Sequence, residues 1–424
     1  MFLKHTTPNK GENMKSDLDA FMQSNSIDAI LIMGPAQHNP AMVYLTGGGH
    51  ITRADLVLKR GESAILFHEM MERDEAARTG LVTRPYSRYP WNELWQQAGR
   101  DQVQALALRY QRMFTDLGLT EGRVALYGTV EAGMVYAVLS AVEKLMPGLH
   151  FIGFARDPLL AEAMMTKDDS EIARIRRMGQ ITTSVVGRVA DFLSSQPVRG
   201  DALLRPDGEY LTIGDVKKYI NLWLAEGGAE NPEGTIFAQG YDAGVPHSTG
   251  TDTAPLRLGQ TIVFDIFPCE AQGGYFYDFT RTWCLGYAPD EAVQLYETVK
   301  SVYHQVVSEL KLGEKFSKYQ VRTCELFEAD GHPTIQTNPD TESGYVHSLG
   351  HGLGLKVHEK PFSGAGSGET ERLIPGTVFT IEPGLYYPNQ NLGVRLEDTY
   401  LTHPDGTFEV LADFPLDLVI PVKP

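Results

Sequence analysis

The run Thr261-Ile-Val-Phe-Asp265-Ile-Phe267 is written as a buried strand with one residue out of place. Strict alternation puts Val263, Asp265 and Phe267 on one face, so a carboxylate points where a core residue is expected. An acid there is costly unless it is paired or binds a cation, and any fold of this chain must bring the compensating group to that strand. Thirteen residues on, Gly274-Tyr-Phe-Tyr-Asp278-Phe-Thr-Arg-Thr-Trp283 places Asp278, Thr280 and Thr282 on one face among aromatic residues. A turn near Gly273-Gly274 joins the two runs as a hairpin and makes Asp265 and Asp278 neighbours. Taken alone, Asp278 has a plain alternative, a salt bridge to Arg281.

Three further segments argue for chemistry. His347-Ser-Leu-Gly-His351-Gly-Leu-Gly-Leu-Lys-Val-His358-Glu359 holds three histidines threaded by Gly350, Gly352 and Gly354. The glycines disfavour a helix and let the backbone run close to something else. Three imidazoles in twelve residues are economical as a metal and acid/base site. In Thr377-Val-Phe-Thr-Ile-Glu382, the residues Val378, Thr380 and Glu382 share a face; in Gly393-Val-Arg-Leu-Glu397-Asp398, Arg395 can orient the carboxylate of Glu397. Four isolated strand carboxylates and a histidine make an oxygen-rich shell with one nitrogen, suited to two divalent ions of the Mn, Co or Zn kind. Without cations, acids this close would repel and take up protons.

Composition sets the frame. The chain has 424 residues, 42% of them apolar, which at about 150 residues per domain predicts two or three domains. Its net charge of −17 argues against a nucleic-acid binder and against an anionic membrane surface. Met1 to Lys15 has no apolar core of a secretory signal, which predicts a cytoplasmic protein. Cys269, Cys284 and Cys324 are too scattered for a disulfide framework and are expected as free thiols.

The first half alternates short strands and helices in the α/β manner: a helix over 15–23, strands at 29–33 and 64–67, a helix at 101–114, a strand at 124–127, a helix at 130–144 and a strand at 150–154. Trp91 and Trp95, four apart, are expected in the core. A long helix then carries Ile172, Ile175, Met178, Ile181, Val185, Val189 and Phe192 at helical steps after a polar start at Lys167 to Ser170. The domain boundary is expected just before it, giving domains 1–162 and 163–424. Thr212-Ile-Gly-Asp215 starts a helix over 216–226 as a capping box. Beyond Thr235 the chain is strand-rich, with helices expected at 290–310 and 317–329.

The ordered set Asp265, Asp278, His351, Glu382 and Glu397, within FDIF, YDFTRT, HGLGL, TIEPGLY and GVRLED, resembles the metallopeptidases of the creatinase, prolidase and aminopeptidase P family. The resemblance implies a pita-bread catalytic domain over about 163–421, preceded more loosely by a creatinase-type α/β N-terminal domain. It implies that Asp265 chelates one of two divalent ions, that Asp278 and Glu397 bridge both, and that His351 and Glu382 complete the other, Mn being the expected metal with Co or Zn as alternatives. Glu382 is then the proton shuttle. His347, His358 and, upstream, His247 contact the substrate, and Arg395 supports the bridging glutamate.

The implied reaction is hydrolysis of a Xaa-Pro bond in a proline-containing peptide by a metal-bridging hydroxide, in a homodimer. Two departures stand out: the Asp265 to Asp278 spacing is two residues longer than usual, which enlarges the turn at 268–273, and the arginine that some prolidases place after His358 is missing. Arg372 could substitute for it as the clamp on a dipeptide's carboxylate, or longer peptides are preferred. Two readings stay open beside this one: a two-metal hydrolase of a non-peptide amide or phosphoester, and a non-catalytic protein that binds ligands in the same cleft.

Overall fold

The apolar stretch from Ala29 becomes a strand buried along most of its length in the computed structural model, which describes residues 16–364 and 366–422. The segment Met1 to Lys15, with the first residue of the first expected helix, lies outside the described residues. By internal packing the chain divides into two units, one reaching to Met164 and including Gln272–Gly274, the other comprising Met165–Ala271 and the chain from Tyr275.

In the first unit, β1 (Ala29–Gly34), β2 (Ala54–Lys59), β3 (Ile65–His68), β4 (Val82–Pro85), β5 (Gly122–Gly128) and β6 (Leu149–Ile152) form one mixed sheet in the order β4-β3-β2-β1-β5-β6. The helices Gln102–Asp116 and Ala132–Leu145 lay Leu106, Tyr110, Phe114, Val138 and Val142 into the same core as Leu31, Val57 and Phe67. Strand β2 escaped the sequence reading because Asp55 interrupts its apolar run, and the helices Pro40–Thr46 and Trp91–Gln97 did so because seven residues hold too few periods to recognise. The expected core role of Trp91 and Trp95 is corrected: Trp91 is 38% exposed and Trp95 half-buried, their rings 6.0 Å apart, while Leu94 takes the inward side of that helix.

The second unit opens with the helix Asp169–Ser195, whose start is a capping box: Asp168 accepts from the Glu171 amide (2.7 Å) and Glu171 accepts from the Asp168 amide (2.8 Å). Thr212 and Asp215 do the same for Ile213–Glu226. Strands β7 (Thr235–Gln239), β8 (Thr261–Ile266) and β9 (Phe279–Leu285) run antiparallel side by side, with Val419–Ile420 parallel at the edge. A second sheet is centred on β10 (His351–Gly352) and β11 (Val378–Ile381); β12 (Leu392–Arg395) hairpins with Gly384–Tyr387, and β13 (Asp398–Thr402) pairs with β11. The helices Asp290–Glu309 and Ser317–Ala329 cover this region, packing Tyr296, Val299 and Phe327 with Phe379, Ile381 and Val394.

One expected strand is shorter than its sequence pattern. The run from Gly274 becomes regular only at Phe279, because the amides before it are taken elsewhere: Phe276 N–H donates to Gly354 O (2.8 Å) and Tyr277 N–H to Pro268 O (3.0 Å). Asp278 therefore sits at the mouth of β9 instead of within it. The enlarged turn before it carries Gln272 and Gly273 at positive φ. Among the described residues no helix is long and apolar enough to cross a membrane, and the three cysteines are free and buried.

Candidate metal centre

Each acid reaches the centre from a strand end or a break in pairing. Asp265, near the end of β8, faces Thr280 on β9 and lies against Arg395 of β12, with Arg395 Nη2 donating to its Oδ2 at 2.6 Å. Glu382 follows β11, its amide tied to Leu349 O (2.8 Å). Glu397 lies in the single residue pairing Thr280↔Glu397 that links the two sheets, and Thr280 Oγ1 donates to its Oε2 at 2.7 Å. His351 reaches in from β10, where Gly350 and Gly352 permit a close backbone approach: a Cβ at Gly352 would stand 1.9 Å from Lys360 O. The expectation that these glycines bring the backbone against a neighbour is met there.

The donor atoms converge. One atom each from Asp278, His351 and Glu397, all buried, lie within 4.8 Å of one another. His351 Nε2 stands 3.6 Å from Asp278 Oδ2 and 3.4 Å from Glu382 Oε1, beyond a good hydrogen bond. Its Nδ1–H donates to Gly352 O (3.1 Å), which leaves the Nε2 lone pair facing the acids. Burial, and then the neighbouring His358, depress this imidazole to about 3, so it is neutral at ordinary pH.

The carboxylates respond in the opposite direction. Burial, then the Glu397 charge, holds Asp278 well above the usual carboxylate range. Glu382 is raised for the same two reasons. Glu397 is pushed up to about 8 by burial and by Asp265. Four acids thus gather about the buried cation Arg395, and two buried oxygens, Asp265 Oδ1 and Glu397 Oε1, have no hydrogen-bond partner. Orphaned oxygens beside a neutral imidazole fit a divalent cation, which supplies the missing positive charge and takes up the unpaired oxygens.

The flanking histidines are near. His358 is exposed, its ring centroid 4.3 Å from that of His351. His347 donates from Nδ1 to Ser348 O (2.7 Å), so its Nε2 accepts from Tyr386 Oη (2.8 Å). Burial and the Arg395 charge depress His347 to about 3. His247 is exposed, and its charge bears on both His347 and His358. Tyr386, not singled out in the sequence, is the hub: it also accepts from Arg395 Nη1 (2.8 Å), so Asp265, Arg395, Tyr386 and His347 form one chain of hydrogen bonds. Its only sequence signal is its place in the TIEPGLY run.

One alternative is corrected. Arg281 does not pair with Asp278; its Nη2 donates to Asp398 Oδ1 (2.9 Å), and its other donors go to carbonyls of Thr280, Glu397, Phe414 and Pro415. Arg372 donates to Gly313 O (2.9 Å), on the loop that follows the helix Asp290–Glu309, and to Glu369 O (3.2 Å), with its side chain 41% exposed.

This geometry suits a divalent cation, and comparison with known proteins supplies the class of enzyme. Residues 173–404 match the family model for metallopeptidase family M24. Over 294 residues the chain is 30% identical to the Probable dipeptidase PepE of Mycobacterium tuberculosis, covering 67% of this chain and 71% of that one. It is 26% identical over 394 residues to the Xaa-Pro dipeptidase of Pyrococcus horikoshii, covering 91% and 93%. The crystal structure of a dipeptidase from Pyrococcus horikoshii OT3 superposes with a TM-score of 0.73 at 21% identity, over 96% of this chain and 99% of that one, a likeness of fold.

The chain belongs to metallopeptidase family M24, within the creatinase, prolidase and aminopeptidase P group. It has the pita-bread catalytic fold preceded by an N-terminal domain, and enzymes of this family use divalent metals.

Proposed function

We propose that this enzyme hydrolyses Xaa-Pro peptide bonds with two divalent ions, Mn being the first choice, held by Asp265, Asp278, His351, Glu382 and Glu397. The observation that carries the reading is the convergence of four acids on a neutral imidazole with two buried oxygens left orphaned. When bound, such a pair of ions acidifies a water and polarises a carbonyl, the chemistry that amide hydrolysis requires. The protein's own residues do the rest. Glu382, its amide tied to Leu349 O at the end of β11, takes and returns a proton at a carboxylate oxygen. His347 and His358, with His247, line the peptide around the scissile bond, and Arg395 keeps Asp265 in place through the 2.6 Å contact.

The names of the relatives favour a dipeptidase, and the homodimer expected from the resemblance belongs to the same proposal, to be checked by light scattering. The deciding experiment offers Gly-Pro and an Xaa-Pro-Xaa tripeptide to protein reconstituted with Mn²⁺, Co²⁺ or Zn²⁺. Metal-dependent cleavage that disappears in Asp278→Asn and His351→Ala, with circular dichroism unchanged, is expected. Undiminished turnover in both variants, or failure to cleave either peptide with any metal, overturns the proposal.

A further inference from the structure

A small cavity lies wholly within the first unit, about 110 Å³ in volume, among residues of β1, β2 and the helices Gln102–Asp116 and Ala132–Leu145. Its polar side is built around Asp55, which is 4% exposed. Both oxygens of that carboxylate are already used: Tyr86 Oη donates to Oδ2 at 2.7 Å and Tyr110 Oη to Oδ1 at 2.8 Å. Beside them Arg109 is 6% exposed and stacks over the Tyr86 ring at 4.5 Å. Its Nε is buried with no hydrogen-bond partner. A buried guanidinium N–H left unpaired is costly and in a native site marks a missing acceptor. The opposite wall is apolar, with Met33, Leu106 and Val138 buried and Met134, 44% exposed, at the rim. Arg53 lines the same cavity with a largely exposed side chain.

We infer that this cavity binds a small organic carboxylate with a short apolar tail, its anionic head on Arg109 and its tail against Met33, Leu106 and Val138. Charge decides the sign of the ligand: the Asp55 oxygens both accept from tyrosines and Arg53 is paired with Glu69 at 3.4 Å, so an incoming anion meets Arg109, whose Nε is the unpaired buried donor among the described residues of the lining. Size decides the class. The volume holds roughly four waters' worth of liquid, well below the several hundred Å³ of a drug-sized pocket. A carboxylate of about six or seven non-hydrogen atoms matches it. Nothing in the proposed peptidase activity uses these residues.

The test titrates 3-methylbutanoate into the full-length protein by calorimetry, with 3-methylbutanamide as the uncharged isostere. Saturable binding of the acid, weakened at least tenfold for the amide and for Arg109→Gln, is the expected result. Met134→Trp fills the rim without touching the polar cluster and should abolish binding while thermal unfolding stays as in the parent; this variant decides the matter if Arg109→Gln fails to fold. Equal affinity for acid and amide, no saturable binding at millimolar acid, or binding unchanged in Met134→Trp overturns the inference.

Discussion

The ion pair Lys167–Glu359 offers a direct test of how the histidine loop is held. Lys167 Nζ stands 2.9 Å from Glu359 Oε2, with side-chain exposures of 2% and 6%. Glu359 follows His358 and accepts from the Lys356 amide (3.1 Å), and a Cβ at Gly354 would stand 2.4 Å from its Oε2, so this carboxylate is packed directly under the loop. Lys167→Met removes the cation and strands a buried negative charge. Breaking one side of such a pair costs about 3–5 kcal/mol. For a folding unit of this size each kcal/mol lowers the midpoint by roughly 2–4 °C, which predicts a fall of about 6–20 °C for the second unit. The double variant Lys167→Met/Glu359→Gln removes the stranded charge and should recover at least half of that loss. Calorimetric unfolding of the metal-loaded protein reads both. A fall of less than about 3 °C in the single variant, or no recovery in the double, refutes the claim that a dry ion pair supports the loop.

Other consequences are open to measurement. Glu397, raised from 4.5 to about 8, keeps its proton in the metal-free folded state while the unfolded chain loses it; the stability this gives is fully present below about pH 4.5 and is lost as pH rises through about 8. Metal-free protein should therefore melt lower at pH 8 than at pH 5.5, with Mn²⁺ raising the midpoint more at pH 8, and a metal-free midpoint that climbs across this window contradicts the clustering of acids. Tyr386→Phe deletes the hydroxyl shared by His347 and Arg395, at 2.8 Å each, and is expected to lower kcat about tenfold, near 1.4 kcal/mol, with the fold retained; steady-state kinetics showing no change would remove Tyr386 from the site. Gly352→Ala puts a methyl group 1.9 Å from Lys360 O, so Mn²⁺ affinity measured by calorimetry should fall by more than a hundredfold; a parental affinity would mean the strand can shift freely.

Much of this molecule is local in origin. The helix Asp169–Ser195 begins where Asp168 and Glu171 cap each other, three residues apart, and the same is true of Thr212 and Asp215. The acids were legible for a related reason: a charge on an apolar strand is visible without knowing what faces it. Hence the four acids Asp265, Asp278, Glu382 and Glu397 could be drawn from their strands, and so could the close approach of the glycine-threaded loop, whereas His351 was set apart from His347 and His358 only by the family resemblance.

What the chain does with those groups over distance could not. Arg281 lies three residues from Asp278 yet pairs with Asp398, because the Thr280↔Glu397 bridge brings β13 alongside β9 from more than a hundred residues away. Arg372 donates to the loop at Gly313, fifty-nine residues away, a partner that its own neighbours in sequence do not announce. Tyr386, an aromatic residue among many, became a hub only when β12 carried Arg395 beside it. Strand β2 hid behind Asp55, and only the meeting of Tyr86 and Tyr110 over that acid left Arg109 with a donor and no acceptor. Residue type and spacing record which charges a chain must reconcile; sheet register and packing choose the partner that reconciles each, since the energy of a buried charge depends on neighbours that sequence distance does not specify.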